Sequence, residues 1–327
     1  MTLKAHFLQA PAPRLLAELQ RQLLPEVRLT TGPELPTPAD FEILIATQVT
    51  RQQVEASPNL RVLINPYTGV SEETLALLAD YPHIAVHNSH HPAASTAEMA
   101  LALLLAAARR LVPADRNLRK GDWTLRDQAD LTLVLEGKTL LVLGYGQIGQ
   151  RVARACQALG MKVVALRLNV NAPVPPDITV ELHPASDLRR VLPHAHVLLV
   201  ALPLTTETRG LIGATELALL PRGAVLVNVG RGAIVDEEAL YTALRDGALG
   251  AAGIDVWYTY PPNAEARAHT FPSKYPFQDL DNVVLSPHRG GMTVDSQQQG
   301  MATIAAMLNA AARGEPLPNR VDVAAGY

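Results

Sequence analysis

Residues 139–167 read TLLVLGYGQIGQRVARACQALGMKVVALR. Thr139 to Leu143 is a short apolar run, the pattern of a strand buried in a parallel sheet. It leads straight into Gly144-Tyr145-Gly146-Gln147-Ile148-Gly149, a G-x-G-x-x-G. Ile148, Val152, Ala155, Cys156 and Leu159 then recur at helical spacing, Gly160 stops the helix, and Lys162 to Leu166 reads as a second strand. The glycines therefore sit between strand and helix inside a βαβ unit, the context that gives this motif its meaning. Gly144 permits the tight turn, Gly146 leaves room for a pyrophosphate, and Gly149 lets helix and strand pack closely. The helix N-terminus offers unpaired N–H groups and partial positive charge to the phosphates.

Working outward, the 327 residues are enough for two domains, and 48% hydrophobic with 18% charged content marks a folded chain. A net charge of −3 gives no electrostatic case for nucleic acid or an anionic membrane. The greasiest run, Met99 to Ala108, is too short to span a bilayer, and MTLKAHFLQAPAP lacks the apolar core of a signal peptide. A soluble cytoplasmic protein is the expectation. The single cysteine, Cys156, lies on the apolar helix face, where packing outweighs reactivity.

Before the motif, residues 3–8, 26–30, 42–46, 61–65 and 84–87 are strand-like runs separated by helical or turn-rich pieces. That alternation implies a first α/β layer domain. The loop Asn65 to Val70 follows one of these strands, where open parallel sheets hold ligands. Asn88-Ser89-His90-His91-Pro92 is a polar break, placed here at the domain crossover. Ser95 to Leu111 then forms an Ala/Leu helix, apolar nearly all round, to be buried or set at a subunit contact. Adjacent His90 and His91 lack metal-ligand spacing, and without a Cys/His cluster no metal site is indicated.

After the motif, Val197–Leu202, Ala224–Val229, Ala251–Val256 and Asn282–Leu285 read as four more buried strands, making six with the first two. Thr205, Thr206, Arg231, Asp255 and His288 lie at or just past strand ends, along the edge that lines the ligand crevice. Arginine can grip a carboxylate and polarise a carbonyl; histidine can exchange a proton near neutral pH. The last helix, about Val294 to Arg313, is amphipathic and covers a face of the first sheet.

Five stretches, in order, resemble the D-isomer-specific 2-hydroxyacid dehydrogenase family over nearly the whole chain. They are Gly144–Gly149, Pro203 to Thr208, Val227 to Glu237, Gly253 to Val256 and Ser286-Pro287-His288. The resemblance implies a Rossmann-type doubly wound parallel sheet inserted in a smaller flavodoxin-like α/β substrate domain. Residues 1–92 with 294–327 would form the substrate domain and 93–293 the dinucleotide domain, in a homodimer. It implies that Arg231 binds the substrate carboxylate and carbonyl and that His288 is the acid/base. Asp255 would meet the nicotinamide carboxamide, Thr96 and Val229 would border the nicotinamide, and Gln147 with Ile148 would meet the pyrophosphate. Pro203 is grouped with these cofactor residues, and Gly69 and Val70 would give backbone contacts to substrate. The substrate would be a small 2-hydroxy or 2-oxo acid.

Two departures from the family pattern matter. Where the family has an acidic residue for the ribose, this chain has Arg167, which favours NADP over NAD by offering a fork to the 2′-phosphate, with Asn169 and Asn171 as further donors. Where the family pairs its histidine with a glutamate, this chain has Tyr260, whose hydroxyl could orient the ring; Glu265 or Asp279 in the long following loop are alternatives. Arg289, beside the histidine, would suit an unusual acidic substrate. The rival functional class is a non-catalytic, dinucleotide-sensing, corepressor-like relative. Loss of the glutamate favours it; retention of Arg231 and His288 disfavours it.

Overall fold

A computed structural model describes residues 2–128 and 132–326. The chain forms two compact units: residues up to Ala93 together with those from Gly291 onward, and Ala94–Gly290.

The first unit opens with β1 (Leu3–Phe7), α1 (Pro13–Arg21), β2 (Val27–Thr31), β3 (Ile43–Ile45), α2 (Arg51–Glu55), β4 (Val62–Ile64), α3 (Glu72–Leu78) and β5 (Ala85–His87). The five strands are parallel in the order β2-β1-β3-β4-β5, with Ala5 opposite Ile43 and Ile43 opposite Val62. This is the flavodoxin-like order. Local signals start the helices: Pro13 enters α1 at its first turn, Thr50 and Gln53 form a capping box on α2, and the Ser71 hydroxyl accepts the Thr74 N–H at the start of α3.

The second unit holds α4 (Ala93–Ala108), α5 (Leu111–Leu118), β6 (Thr139–Leu143), α6 (Gln147–Ala158), β7 (Lys162–Arg167), β8 (Glu181–Pro184), α7 (Leu188–Val191), β9 (Val197–Val200), α8 (Ala214–Leu219), β10 (Val225–Asn228), α9 (Glu237–Arg245), β11 (Ala251–Ile254) and β12 (Val283–Leu285). Its parallel sheet runs β12-β11-β10-β9-β6-β7-β8. Read from β6, the first six strands have the doubly wound dinucleotide-binding order, and β12 extends the sheet. The six strands read from sequence thus become seven among the described residues. The addition, β8, is an edge strand with no fully buried residue, so it carries no apolar run to announce it.

Alternate residues of each central strand feed opposite cores. Leu140 and Val142 pack with Leu104 of α4 and with Val152 and Cys156 of α6. Leu141 and Leu143 pack with Leu240 and Leu244 of α9. Both faces are covered, as an all-parallel sheet requires. Cys156 is fully buried in the first of these cores, and burial pushes its thiol up to about 12.

The chain returns to the first unit in α10 (Val294–Ala312). Ile304, Ala305 and Leu308 pack on the face of the first sheet built from Ile43, Ile45, Val62 and Ile64. Ile304 and Leu308, fully buried, each stabilise the unit by about 2 kcal/mol. Asn309 ties the helix to the turn after α1, accepting the Leu24 N–H at 2.9 Å and donating to the Gln22 carbonyl at 2.8 Å.

Candidate active site

The glycine loop follows β6, from which the strand order runs one way to β7 and β8 and the other way to β9, β10 and β11. Such a switch point opens a crevice at the carboxyl edge. Gly144 has φ +95° there, and a β-carbon on it would sit 2.6 Å from the Ala201 carbonyl oxygen past β9. At Gly149 a β-carbon would come within 2.3 Å of the Gly144 carbonyl oxygen. At Gly146 it would meet nothing within 4 Å, so the space in front of α6 is open. No side chain caps that helix. Its first N–H groups are therefore free of a local acceptor and face open space, which fits a pyrophosphate. Gln147 is exposed on the first turn and Ile148 is half-buried beside it. Tyr145 points inward instead, and its buried hydroxyl has no partner among the described residues. Burial holds its pKa above the usual value.

Arg167 ends β7. It is half-buried, and its Nη1 donates to the Ala172 carbonyl at 3.1 Å, bracing the loop that follows. Asn169 Oδ1 accepts the Asn171 N–H at 3.1 Å within that loop. Beyond β9, the Thr208 hydroxyl donates to the Pro203 carbonyl at 2.7 Å and accepts the Thr205 N–H at 2.8 Å, which fixes the shape of the Pro203–Thr208 turn.

Arg231 follows β10 on a turn pinned from below by Asn228. The buried Asn228 amide accepts the Gly230 N–H at 3.1 Å and donates to the Arg231 carbonyl at 3.1 Å. A β-carbon at Gly232 would fall 2.4 Å from the Trp257 carbonyl oxygen, so no larger residue lets this turn press against the chain after β11. Val229 is buried at the same strand end. The Arg231 guanidinium donates to the Gly230 carbonyl at 2.7 Å. Burial lowers its pKa and Tyr260 acts in the opposite sense; a guanidinium stays charged throughout.

His288 sits after β12 with φ +53°, a left-handed backbone rare outside glycine. The loop is held in that form by Asp255, which is 1% exposed. Asp255 Oδ1 accepts the Ser286 hydroxyl at 2.5 Å and the Arg289 N–H at 3.0 Å, while Oδ2 accepts the Gly290 N–H at 2.9 Å. The Trp257 indole donates to the Ser286 carbonyl at 2.8 Å, and the His288 N–H donates to the same carbonyl at 3.0 Å. Thr96 of α4 lies against Gly290, whose β-carbon would be 3.5 Å from the Thr96 Cα. The apolar surroundings of His288 and then the Arg231 charge push its pKa below the ordinary value; Asp255 opposes them.

The Tyr260 ring lies 5.5 Å from the His288 ring, tilted by 54°. Its hydroxyl, however, accepts the Trp257 N–H at 3.0 Å. The tyrosine meets the histidine through its ring, and the hydroxyl bond to imidazole suggested by the sequence is not the contact formed. Glu265 and Asp279 lie on short 3-10 turns, and neither is among the charges acting on His288.

In the first unit, Gly69 and Val70 belong to a loop shaped by Asn65. Its amide donates to the Gly69 carbonyl at 2.9 Å and accepts the Tyr67 N–H at 3.2 Å. Asn65, Asn228 and Ser286, which fall within the stretches read from sequence without a role there, and Trp257 are the supporting residues. A polar side chain at the end of an apolar run, on the last residue of β10 for Asn228 and just past β4 for Asn65, was the available signal for the two asparagines. Among the described residues no group of three or more His, Cys, Asp or Glu could hold a metal ion. No described helix is long and apolar enough to cross a membrane.

Residues 101–290 match the family pattern described as D-isomer specific 2-hydroxyacid dehydrogenase, NAD binding domain. The chain is 32% identical over 287 residues to the D-3-phosphoglycerate dehydrogenase of Methanocaldococcus jannaschii, covering 87% of this chain and 52% of that protein. It is 33% identical over 256 residues to the hydroxypyruvate reductase of Thermotoga maritima, covering 78% of each. A solved D-isomer specific 2-hydroxyacid dehydrogenase from Xanthobacter autotrophicus, in complex with NADPH and MES, superposes over the full length of both chains with a TM-score of 0.81 at 26% identity. The chain thus spans about half the length of the phosphoglycerate dehydrogenases it matches. The match over most of the second unit shows that the chain belongs to the D-isomer-specific 2-hydroxyacid dehydrogenase family.

Proposed function

We propose that this chain is an oxidoreductase that interconverts a small 2-oxo acid and its D-2-hydroxy acid. The observation that carries the reading is the joint presence of Arg231 and His288 at the carboxyl edge of the sheet that holds the glycine loop. A bound nicotinamide dinucleotide supplies hydride to the carbonyl carbon in reduction and accepts it in oxidation. Gly144, Gly146, Gln147, Ile148 and Gly149 hold its pyrophosphate, and Pro203, Thr96 and Val229 line the remainder. Asp255 keeps its carboxylate near the nicotinamide carboxamide. Arg231 grips the substrate carboxylate and polarises the carbonyl. In reduction His288 passes its proton to the carbonyl oxygen; in oxidation the neutral imidazole takes the hydroxyl proton back. Gly69 and Val70 add backbone contacts to the substrate. Tyr260 packs on the histidine ring and sets its angle. Residues 1–92 with 294–327 serve as substrate domain and 93–293 as dinucleotide domain.

The preferred cofactor is NADP. Support comes from Arg167, a cation at the end of the strand next to the glycine loop. The Xanthobacter relative, solved with NADPH, is consistent with this. The assembly is a homodimer; Leu111, Val112, Leu118 and Trp123 give the α4–α5 region exposed apolar surface suited to a second copy.

The competing reading, a dinucleotide-sensing protein without turnover, draws on the missing glutamate. It does not explain why the Arg231 turn and the His288 loop keep dedicated buried supports in Asn228 and Asp255. Following loss of reduced nicotinamide with glyoxylate, hydroxypyruvate and bulkier 2-oxo acids decides between them. Turnover that disappears in His288→Gln supports the enzyme; tight dinucleotide binding with no turnover of any acid supports the sensor.

A further inference from the structure

The carboxyl ends of β1, β3 and β4 in the first unit enclose a cavity of about 260 Å³. Phe7, Leu15 and Met301 supply apolar wall, and Met292 adds to it. Pro66 and Tyr67 come from the Asn65–Val70 loop, so the cavity adjoins the backbone proposed to touch substrate. Among the described residues no Asp, Glu, Lys or Arg lines it. Its polar atoms belong to neutral groups such as Gln9, Thr47 and Gln297. Gln9 Oε1 is itself occupied by the Thr47 N–H at 3.1 Å. The one titratable heterocycle is His91. Its Nδ1 pairs with the Ser89 hydroxyl at 2.9 Å, and its ring packs so closely on Gly300 that a β-carbon there would lie 2.9 Å from Nε2. Burial lowers its pKa, which favours the neutral ring.

We propose that this cavity is the subsite for the side chain of the 2-oxo acid, and that this side chain is uncharged, between isobutyl and benzyl in size. The inference rests on the reading under Proposed function and adds the substrate class. Ligands of open parallel sheets sit at the carboxyl edge, where this cavity lies. An apolar cavity of about 150 Å³ accommodates benzene, so 260 Å³ admits a phenyl ring or a branched alkyl chain. A phosphate or second carboxylate placed here would lose water without gaining a cation, and phosphate recognition calls for Arg or Lys.

The test uses the full chain with saturating reduced nicotinamide and measures kcat/KM for glyoxylate, pyruvate, 4-methyl-2-oxopentanoate, phenylpyruvate, oxaloacetate and 3-phosphohydroxypyruvate. The two acids with bulky uncharged side chains should exceed glyoxylate by about 10-fold or more, the size of effect one or a few methylenes have in an apolar pocket. The two acids with an anionic side chain, oxaloacetate and 3-phosphohydroxypyruvate, should fall about 10-fold or more below the bulky ones. Thr47→Arg and Gln297→Arg each bring a cation to the lining, and each should narrow the gap between phenylpyruvate and 3-phosphohydroxypyruvate by about 10-fold. Circular dichroism checks folding, and either variant suffices if the other fails to fold. Best turnover with glyoxylate or with the phosphorylated acid overturns the subsite while leaving the dehydrogenase reading intact. If no acid is turned over, that reading fails, and calorimetry with 3-phenyllactate judges the cavity separately. Binding that is lost in Thr47→Arg supports it, and absence of binding to the wild type ends it.

Discussion

Asp255 accepts the backbone N–H of Gly290 at 2.9 Å from a buried position one strand away in the sheet. With the Arg289 N–H and the Ser286 hydroxyl also on this carboxylate, the loop that presents His288 is fastened on both sides of the histidine. Asp255→Asn would set an amide NH₂ against backbone donors and loosen that loop. Misplacing a catalytic group by about 1 Å costs on the order of 100-fold in rate. The expected result is a fall in kcat of that order with folding retained by circular dichroism. Because Asp255 raises the His288 pKa, the residual activity of the variant should also show a lower apparent pKa in pH–kcat/KM profiles.

Arg231→Lys keeps the charge but gives up the planar two-point grip. Losing one well-placed electrostatic donor costs about 10²–10³ in rate. kcat/KM for the acid should drop by that factor, while the dissociation constant for the dinucleotide, read by fluorescence titration, should move by less than about 3-fold, a ceiling set by the spread of indirect effects.

Arg167→Asp replaces a fork for a 2′-phosphate with a carboxylate that repels it. A hydrogen bond to a charged group contributes about 1.5–3 kcal/mol, so the ratio of kcat/KM for NADPH over NADH should fall by at least about 10-fold. A ratio that does not move would leave Arg167 as a brace for the Ala172 loop alone.

The pH dependence follows from the lowered pKa of His288, caused first by its apolar surroundings and then by Arg231. Reduction needs the protonated ring, so its kcat/KM should decline as pH rises through a value below that of an ordinary histidine. Oxidation needs the neutral ring and should gain through the same value. Tyr260→Glu brings a negative charge to a ring now 5.5 Å away, which favours imidazolium. Both inflections should shift upward in pH in that variant.

Much of the second unit was legible because its signal is local. Gly144, Gly146 and Gly149 stand next to the strand and helix that give them meaning, and apolar runs such as Val197–Leu202 mark buried strands directly. Glu181–Pro184 was not legible, since an edge strand needs no apolar pattern. The support of the site was hidden for a different reason. Asp255 and Gly290 meet only because β11 and β12 pair side by side, and the left-handed backbone of His288 is imposed by those bonds and not by its own preference. The sequence also invites a bond from the Tyr260 hydroxyl to His288; in the structure the hydroxyl oxygen accepts the backbone Trp257 N–H, three residues away, and the ring faces the histidine. A short-range backbone donor costs less chain entropy to reach than a side chain from another loop.

The burial of Cys156 gives the protein a built-in clock for its own breathing. The chain has one thiol, on the inner face of the helix that follows the glycine loop, and its pKa near 12 leaves almost no thiolate at neutral pH. While α6 stays docked, the buried thiol offers oxidants almost no thiolate to attack. An alkylating reagent reaches the sulfur only when α6 lifts away. The labelling rate of Cys156 therefore counts those openings without any engineered probe, and a dinucleotide seated at the start of the same helix should slow it.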